Sequence, residues 1–368
     1  MLKSYAQKDG LRGIYMHKTH VLRLALAAMV LNASLLVPSG ALLMGQGPNF
    51  NQPGNILITD QFNNRAIEID PAGNIVWQFG RGPGNTTANA IIGTNDAERV
   101  GTLTLLAGTG IPPAVVTHCK KGCADNRVIL VDPSGNIVWQ YGQFGVTGSG
   151  PNQLNTPVQN TYVHEANNDD HVLITDQGNG RIIEVRRSDN AIVWEYDGLN
   201  GPNSAELLVN GNVLISDQSN NQALEVTHTT PSTVVNTYTT AGGIPFNTVA
   251  FASRLPNGHT LITDAANSRI VETDEQGTDY WHFFTNARPG SNPSPLPTRA
   301  VQLANGNVLI SDQFNDQVIE VTHAQSAMIV ASYGAINNPG YNPNTASKLN
   351  GPYSAYVIGD YTGITPPF

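Results

Sequence analysis

Residues 54–80 read GNILITDQFNNRAIEIDPAGNIVWQFG, and the phrase returns four more times with small changes. It is HVLITDQGNGRIIEVRRSDNAIVWEYDG at 171–198, GNVLISDQSNNQALEVTH at 211–228, GHTLITDAANSRIVETDEQGTDYWHFF at 258–284 and GNVLISDQFNDQVIEVTH at 306–323. A degenerate sixth copy, VVTHCKKGCADNRVILVDPSGNIVWQYG at 115–142, keeps only the second half. A copy divides into an apolar run (ILIT, VLIS), an alternating run (RAIEID, RIIEV) and an aromatic run (IVWQF, IVWEY), separated by tight turns of Asn, Gly and Asp. Three strands joined by hairpins have this pattern. A fourth strand precedes most copies: YVHEA (162–166), SAELLV (204–209), FASRLP (251–256) and RAVQLA (299–304). Four-stranded units recurring every ~40–50 residues predict an all-β chain folded as a six-bladed β-propeller.

The first copy has no convincing strand before it. The tail carries SAYVIG (354–359) behind an LNGP that also precedes SAELLV in the fourth unit. The C-terminal strand is therefore expected to complete the N-terminal blade, closing the ring and removing its exposed edges. A single propeller domain over 42–368 accounts for everything after the first 41 residues. Those 41 read as a cleaved signal peptide: Lys3, Lys8, Arg12, Lys18 and Arg23 lead a mostly apolar run that exits through Ser39-Gly40-Ala41. The run is broken by Asn32, Pro38 and Ser39, so its clean apolar part falls short of the ~20 residues of a span. An extracytoplasmic protein with no membrane span in its mature chain is the expectation.

Charged residues make up 13% of the chain, and the formal charge is −9. The basic footprint of a nucleic-acid binder is absent. No P-loop, GxGxxG, HExxH or GxSxG motif occurs, and no cofactor is implied. Asp60, Asp176, Asp217, Asp264 and Asp312 each precede by eight residues Glu68, Glu184, Glu225, Glu272 and Glu320. Arg65, Arg181 and Arg269 stand at the fifth position, with Gln222 and Gln317 in the other two copies. A residue present in blade after blade belongs to the blade: Asp can accept backbone N–H groups in the turn, and Arg or Gln can bridge to it. Trp77, Trp139, Trp194 and Trp281 fall on outer strands, where filling space between blades is their expected role.

The positions that differ between copies carry the functional information. Aligned on the Asn-Gly turn, the fourth strands place Ala205, Ala252, Ala300 and Ala355 at one level, with His164 at the same level in blade 3. His164, Glu165, Glu206, Arg299 and Tyr356 then form an ionisable channel mouth, the candidate ligand site. Cys119 and Cys123 favour a disulfide in an exported chain. With His118 they could instead contribute to a metal site, but a fourth ligand is not evident and no metal is expected.

LPNGHTLITDAANSRIVETD (255–274) and ANGNVLISDQFNDQVIEV (304–321) resemble NHL-type repeats, and also the blades of bacterial arylsulfotransferase-like propellers. That resemblance implies two enzyme classes. Sulfotransferases of this type use a histidine nucleophile with further histidines and an arginine, and the NHL-type lyases use metal-binding histidines. Only His164, with Arg299 as its possible partner, maps to the channel. His171, His228, His259, His282 and His323 align with turns or outer positions. The reading that follows is a module that binds a protein, glycan or small molecule. A channel-mouth enzyme is the alternative, and a cell-envelope structural component a second one.

Overall fold

The computed structural model describes residues 49–166 and 169–366; the expected signal segment lies outside the described residues. Six four-stranded antiparallel sheets follow one another, and the helical content among the described residues is a set of three-residue 3-10 turns. The inner strands, in chain order from blade 2, are Thr94–Val100, Pro157–Val163, Pro202–Leu207, Val249–Arg254 and Pro297–Gln302. Blade 1 takes its inner strand from the tail: Pro352–Val357 pairs with Ile56–Asp60, setting Ala355 opposite Ile58. This is the expected closure.

Each second strand is buried on both faces between neighbouring blades, which is why it reads as an apolar run, ending in Asp in every blade but the second. Asp60 accepts hydrogen bonds from Arg65 Nε (2.8 Å), Asn63 Nδ2 (2.8 Å) and the backbone N–H of Asn350 (2.7 Å). Asp176, Asp217 and Asp264 take the equivalent backbone bond from Asn155, Asn200 and Asn247, each at 2.8 Å. The Asp thus ties its own turn to the chain entering the blade. The turn then needs a left-handed residue, and Asn64, Gly180, Asn221, Ser268 and Asp316 supply it at φ 52–63°. Blade 2 reaches the same end by another route. Gly108 occupies the Asp position opposite Arg127, and Asp125, two residues ahead of the next strand, accepts from Arg127 Nε (2.6 Å) and from the N–H of Ile92 (2.8 Å). A Cβ on Gly108 would stand 2.6 Å from Asp125 Cγ, so the glycine is the space into which the aspartate moves.

The repeated Glu and Trp link blade to blade. Glu68 is bonded by Asn55 of its own blade and by Arg99 of the next (2.8 Å), and Glu225 by Asn212 and Arg254 in the same way. The indole N–H groups of Trp77, Trp139, Trp194 and Trp281 donate to Pro133 O, Asn190 Oδ1, Thr229 O and Ala324 O, all in the turn of the following blade. The repeated residues are therefore blade fittings.

The inner strands correct the expected boundaries. They start about two residues earlier than read, because a bulge at the third residue (between Pro202 and Ser204, for example) lets the strand begin at Pro. Blade 3 is displaced further. Its inner strand is Pro157–Val163, and Asn160 faces Ile174 where Ala205 faces Ile215. Residues 94–97 open the inner strand of blade 2, for which the degenerate copy offered no strand.

Candidate functional site

Ala97, Ala205, Ala252, Ala300 and Ala355 pack blade against blade, and their neighbours converge on the channel. Asp96, Glu98, Asn160, Glu206, Arg299 and Tyr356 line one small cavity there. Arg299 Nη1 lies 2.8 Å from Asp96 Oδ1, and its Nη2 3.8 Å from Glu206 Oε1; its guanidinium stacks 4.5 Å over the Phe251 ring. Glu206 also accepts from Gln159 Nε2 (2.6 Å), and Glu98 from the N–H of Tyr162 (2.7 Å). Tyr356 Oη meets the backbone N–H of Arg99. Burial raises the pKa of Asp96, Glu98 and Glu206, with Arg299 pulling each of them back; Glu98 is driven well above the usual range. Burial also lifts Tyr356 far above an ordinary phenol.

The chain's own tail crosses this end of the channel. The N–H of Thr365 bonds Glu206 Oε2 (3.0 Å), its hydroxyl bonds Leu207 O (2.9 Å), and Ile364 packs against the cores on both sides. A groove of about 890 Å³ remains beside the tail, between Leu207–Asn210 and Arg254–Pro256.

The opposite mouth is open. The 3-10 turns bring Gln61, Gln177, Gln218 and Gln313 to its rim, where Gln313 Nε2 donates to Gln61 Oε1 (2.7 Å) and Gln177 Nε2 to Gln218 Oε1 (3.2 Å). Blade 2 has an excursion, residues 109–126, in place of the short turn. Ile111 and Cys123 exchange backbone hydrogen bonds at 2.8 and 2.9 Å, and Cys119 is bonded to Cys123. Between excursion and rim lies a cleft of about 550 Å³ lined by Asn95, Gln61, Gln177, Gln218, Tyr353 and the excursion. Lys121 is the one charged side chain in its lining. Asn95 Oδ1 is buried there with no hydrogen-bond partner, and Tyr353 Oη donates to Asn203 Oδ1 (2.8 Å). Burial pushes the Tyr353 hydroxyl up to about 12, so it remains a donor at neutral pH.

Of the five residues expected at a channel mouth, Glu206, Arg299 and Tyr356 do meet in the channel, joined by Asp96, Glu98 and Asn160. His164 and Glu165 do not. They follow the end of the blade-3 inner strand, and His164 Nδ1 lies 2.8 Å from Asp170 in a half-exposed position. The alignment failed because blade 3 replaces the short Asn-Gly turn with the longer HEANNDDH. None of the six inner strands carries a histidine. The rim glutamines were overlooked, although Gln follows the repeated Asp in four of the five full copies.

The protein family described as outer membrane protein assembly factor BamB (PQQ_2) matches residues 124–359. The match extends the propeller reading without reaching either the NHL or the arylsulfotransferase identity. No curated protein matches the chain. Among solved structures, a Bacteroides caccae protein of unknown function is similar at 13% identity, covering 83% of this chain and 98% of that one with a TM-score of 0.54. Virginiamycin B lyase from Staphylococcus aureus is similar at 13% identity, covering 79% and 85%, TM-score 0.48. A putative 6-phosphogluconolactonase from Bacteroides fragilis aligns at 9% identity over 84% and 99%, TM-score 0.47. At these identities the likeness is one of fold.

Proposed function

Because the chain belongs to the PQQ_2 family, that of outer membrane protein assembly factor BamB, we propose that it is an extracytoplasmic propeller that binds a protein partner at its open, amide-lined mouth. The observation that carries this is the asymmetry of the channel. One end is crossed by the chain's own tail at Thr365, while the other opens into the cleft of about 550 Å³ walled by the disulfide-bonded excursion. Cavities of this size are those that enclose a ligand or an anchoring segment. Side-chain amides offer donors and acceptors together, which suits the alternating N–H and C=O groups of an extended peptide. The name of the family, an assembly factor, supports a protein as the partner. The basic, apolar head of the sequence and the Cys119–Cys123 bond support the compartment.

Selection against a random linear peptide library tests the site. Enriched peptides should lose affinity about tenfold or more when Gln177 and Gln218 are both changed to Ala, at the scale of two lost hydrogen bonds. They should be indifferent to Val209→Ser on the opposite face. Peptides insensitive to the first change and sensitive to the second would move the site to the tail groove.

A further inference from the structure

We propose that Asp312 is an acid-fastened clasp: protonated, it holds the segment 285–297 against blade 6, and on ionising it lets that segment open. The clasp is a property of blade 6 and stands apart from the function proposed for the mouth.

In four blades the aspartate that ends the second strand has one oxygen committed to the chain entering the blade. Asn155, Asn200, Asn247 and Asn350 each donate a backbone N–H to it at 2.7–2.8 Å. The carbonyls of the same four residues accept from the N–H groups of Gly178, Ser219, Ala266 and Phe62 in the 3-10 turn after the aspartate. Each of the four is followed by a left-handed residue, Thr156, Gly201, Thr248 and Gly351. In blade 6 the residue at this place is Pro295. Its carbonyl accepts from the N–H of Phe314 (2.8 Å), and Leu296 after it is left-handed at φ 47°. The backbone matches the other blades except in the one group that proline does not have, an N–H. Asp312 Oδ1 is accordingly buried with no hydrogen-bond partner among the described residues.

The other oxygen is held from the same segment. Gln317 stands where blades 1, 3 and 5 have Arg, and its Nε2 is turned to Gly334 O. Arg288 supplies the guanidinium instead, with Nη2 2.5 Å from Asp312 Oδ2 and Nη1 2.9 Å from Gln317 Oε1. Asn315 Nδ2 donates both to Asp312 Oδ2 (2.7 Å) and to Thr285 O (3.1 Å), and Asn315 Oδ1 accepts from the N–H of Asn292 (2.6 Å). Asp312, Asn315 and Arg288 thus join the segment to the turn.

Arg288 is the charged side chain in contact with Asp312. The strand on one side sets Pro297 opposite it and the strand on the other Gln317, and the Thr285 hydroxyl beside it donates to Ser268 O (3.3 Å). Asp316, at the end of the turn, accepts from the N–H of Gly351 and feels Asp60 and Lys348 at the joint to blade 1. A buried carboxylate with one oxygen unbonded keeps its proton more readily. Burial raises Asp60 and Asp176 too, but each has the backbone bond to oppose it; Asp312 is raised to about 7. Opening of the segment returns Asp312 to water, where an aspartate titrates at about 3.9. Between that value and about 7 opening releases a proton, so the closed form is favoured most in acid and loses that advantage as pH rises to about 7.

Blade 4 is the internal control. It too has a glutamine at the fifth position, Gln222, which bonds Asp217 Oδ2 (3.0 Å), but there Asn200 supplies the N–H that Pro295 lacks.

The test is amide hydrogen exchange of the intact chain from pH 5 to pH 8, read residue by residue and expressed as protection relative to an unstructured peptide at the same pH. Protection at Asn292 and Phe314 should fall about tenfold or more from pH 5 to pH 7, within the limit of about tenfold per pH unit for one proton, and level off above that. Ser219, which bonds Asn200 O, should not follow it. Pro295→Asn restores the donor and should flatten the blade 6 profile to that of blade 4. Asp312→Asn, with no proton to release, should flatten it as well; if that variant folds poorly, Pro295→Asn carries the test alone. A flat profile in the parent, an equal fall at Ser219, or a parent-like fall in Pro295→Asn each overturns the clasp. The first of these results would mean that Asp312 is ionised throughout the range, with water bonded to its free oxygen.

Discussion

Glu272 shows what one repeated residue does. The hydrogen bond from His323 holds its pKa at about 2 against the opposing effect of burial, with Asn257 and His259 adding to the depression. A carboxylate depressed in the folded state stabilises the fold above its unfolded pKa of about 4.3, and that contribution is lost as pH falls through about 2. Both imidazoles are partly open to solvent, so screening cuts the effect to about 1–2 kcal/mol. Glu272→Gln should therefore melt lower than the parent at pH 5, with the gap closing toward pH 2. A gap that stays constant across this range would show that the carboxylate charge is not what stabilises the joint between blades 5 and 6. Asp312 behaves in the opposite sense. Burial raises it to about 7 although Arg288 and Asn315 both bond it. At Asp312, as at Asp60 with its Arg65, burial outweighs the bonds the carboxylate accepts, whereas at Glu272 the bond from His323 outweighs burial.

At the scale of the element, a blade is held by what its outer strand reaches. Trp77 is buried and donates to Pro133 O across the blade 1–2 joint. Trp77→Phe keeps most of the ring and loses that bond, which should cost about 1 kcal/mol. Trp77→Ala should cost about 3–5 kcal/mol through the cavity it leaves. Thermal melts of the two variants measure both figures, and equal losses would mean the indole N–H matters more than its volume. This level of organisation was legible in the sequence because it recurs. The strands, the turns, the Asp–Arg ties, the role of Trp and the shared terminal blade all follow from the period. The channel was legible only where the period held. Glu206 and Arg299 fall into place because their blades keep the Asn-Gly turn that sets the register, and Tyr356 because its strand follows the same Leu-Asn-Gly-Pro as that of Glu206. Asp96 and Glu98 were missed because blade 2 has lost the first half of the phrase, and His164 was misplaced because blade 3 has lengthened its turn. A site made of differences between repeats is hidden from an argument built on likeness.

At the scale of the whole molecule, six sheets depend on one pairing. Pro352–Val357 is the inner strand of blade 1, and Tyr356 and Ile358 join the core shared by blades 1 and 2. Removing residues 350–368 should abolish cooperative unfolding of the entire propeller, as followed by calorimetry or near-ultraviolet circular dichroism. A truncated chain with the parent's melting curve would show that the ring stands without its closing strand.

That closing strand also fixes an order of events. The edge of Ile56–Asp60 leaves its point of synthesis early and then waits, unpaired, through everything between Asp60 and Pro352. An apolar strand edge left open is an invitation to the wrong neighbour. Pro352–Val357 is the strand that retires it, so the ring cannot close before that strand has been made. The first blade to be started is thus the last to be completed, and every other sheet can be in place before it is.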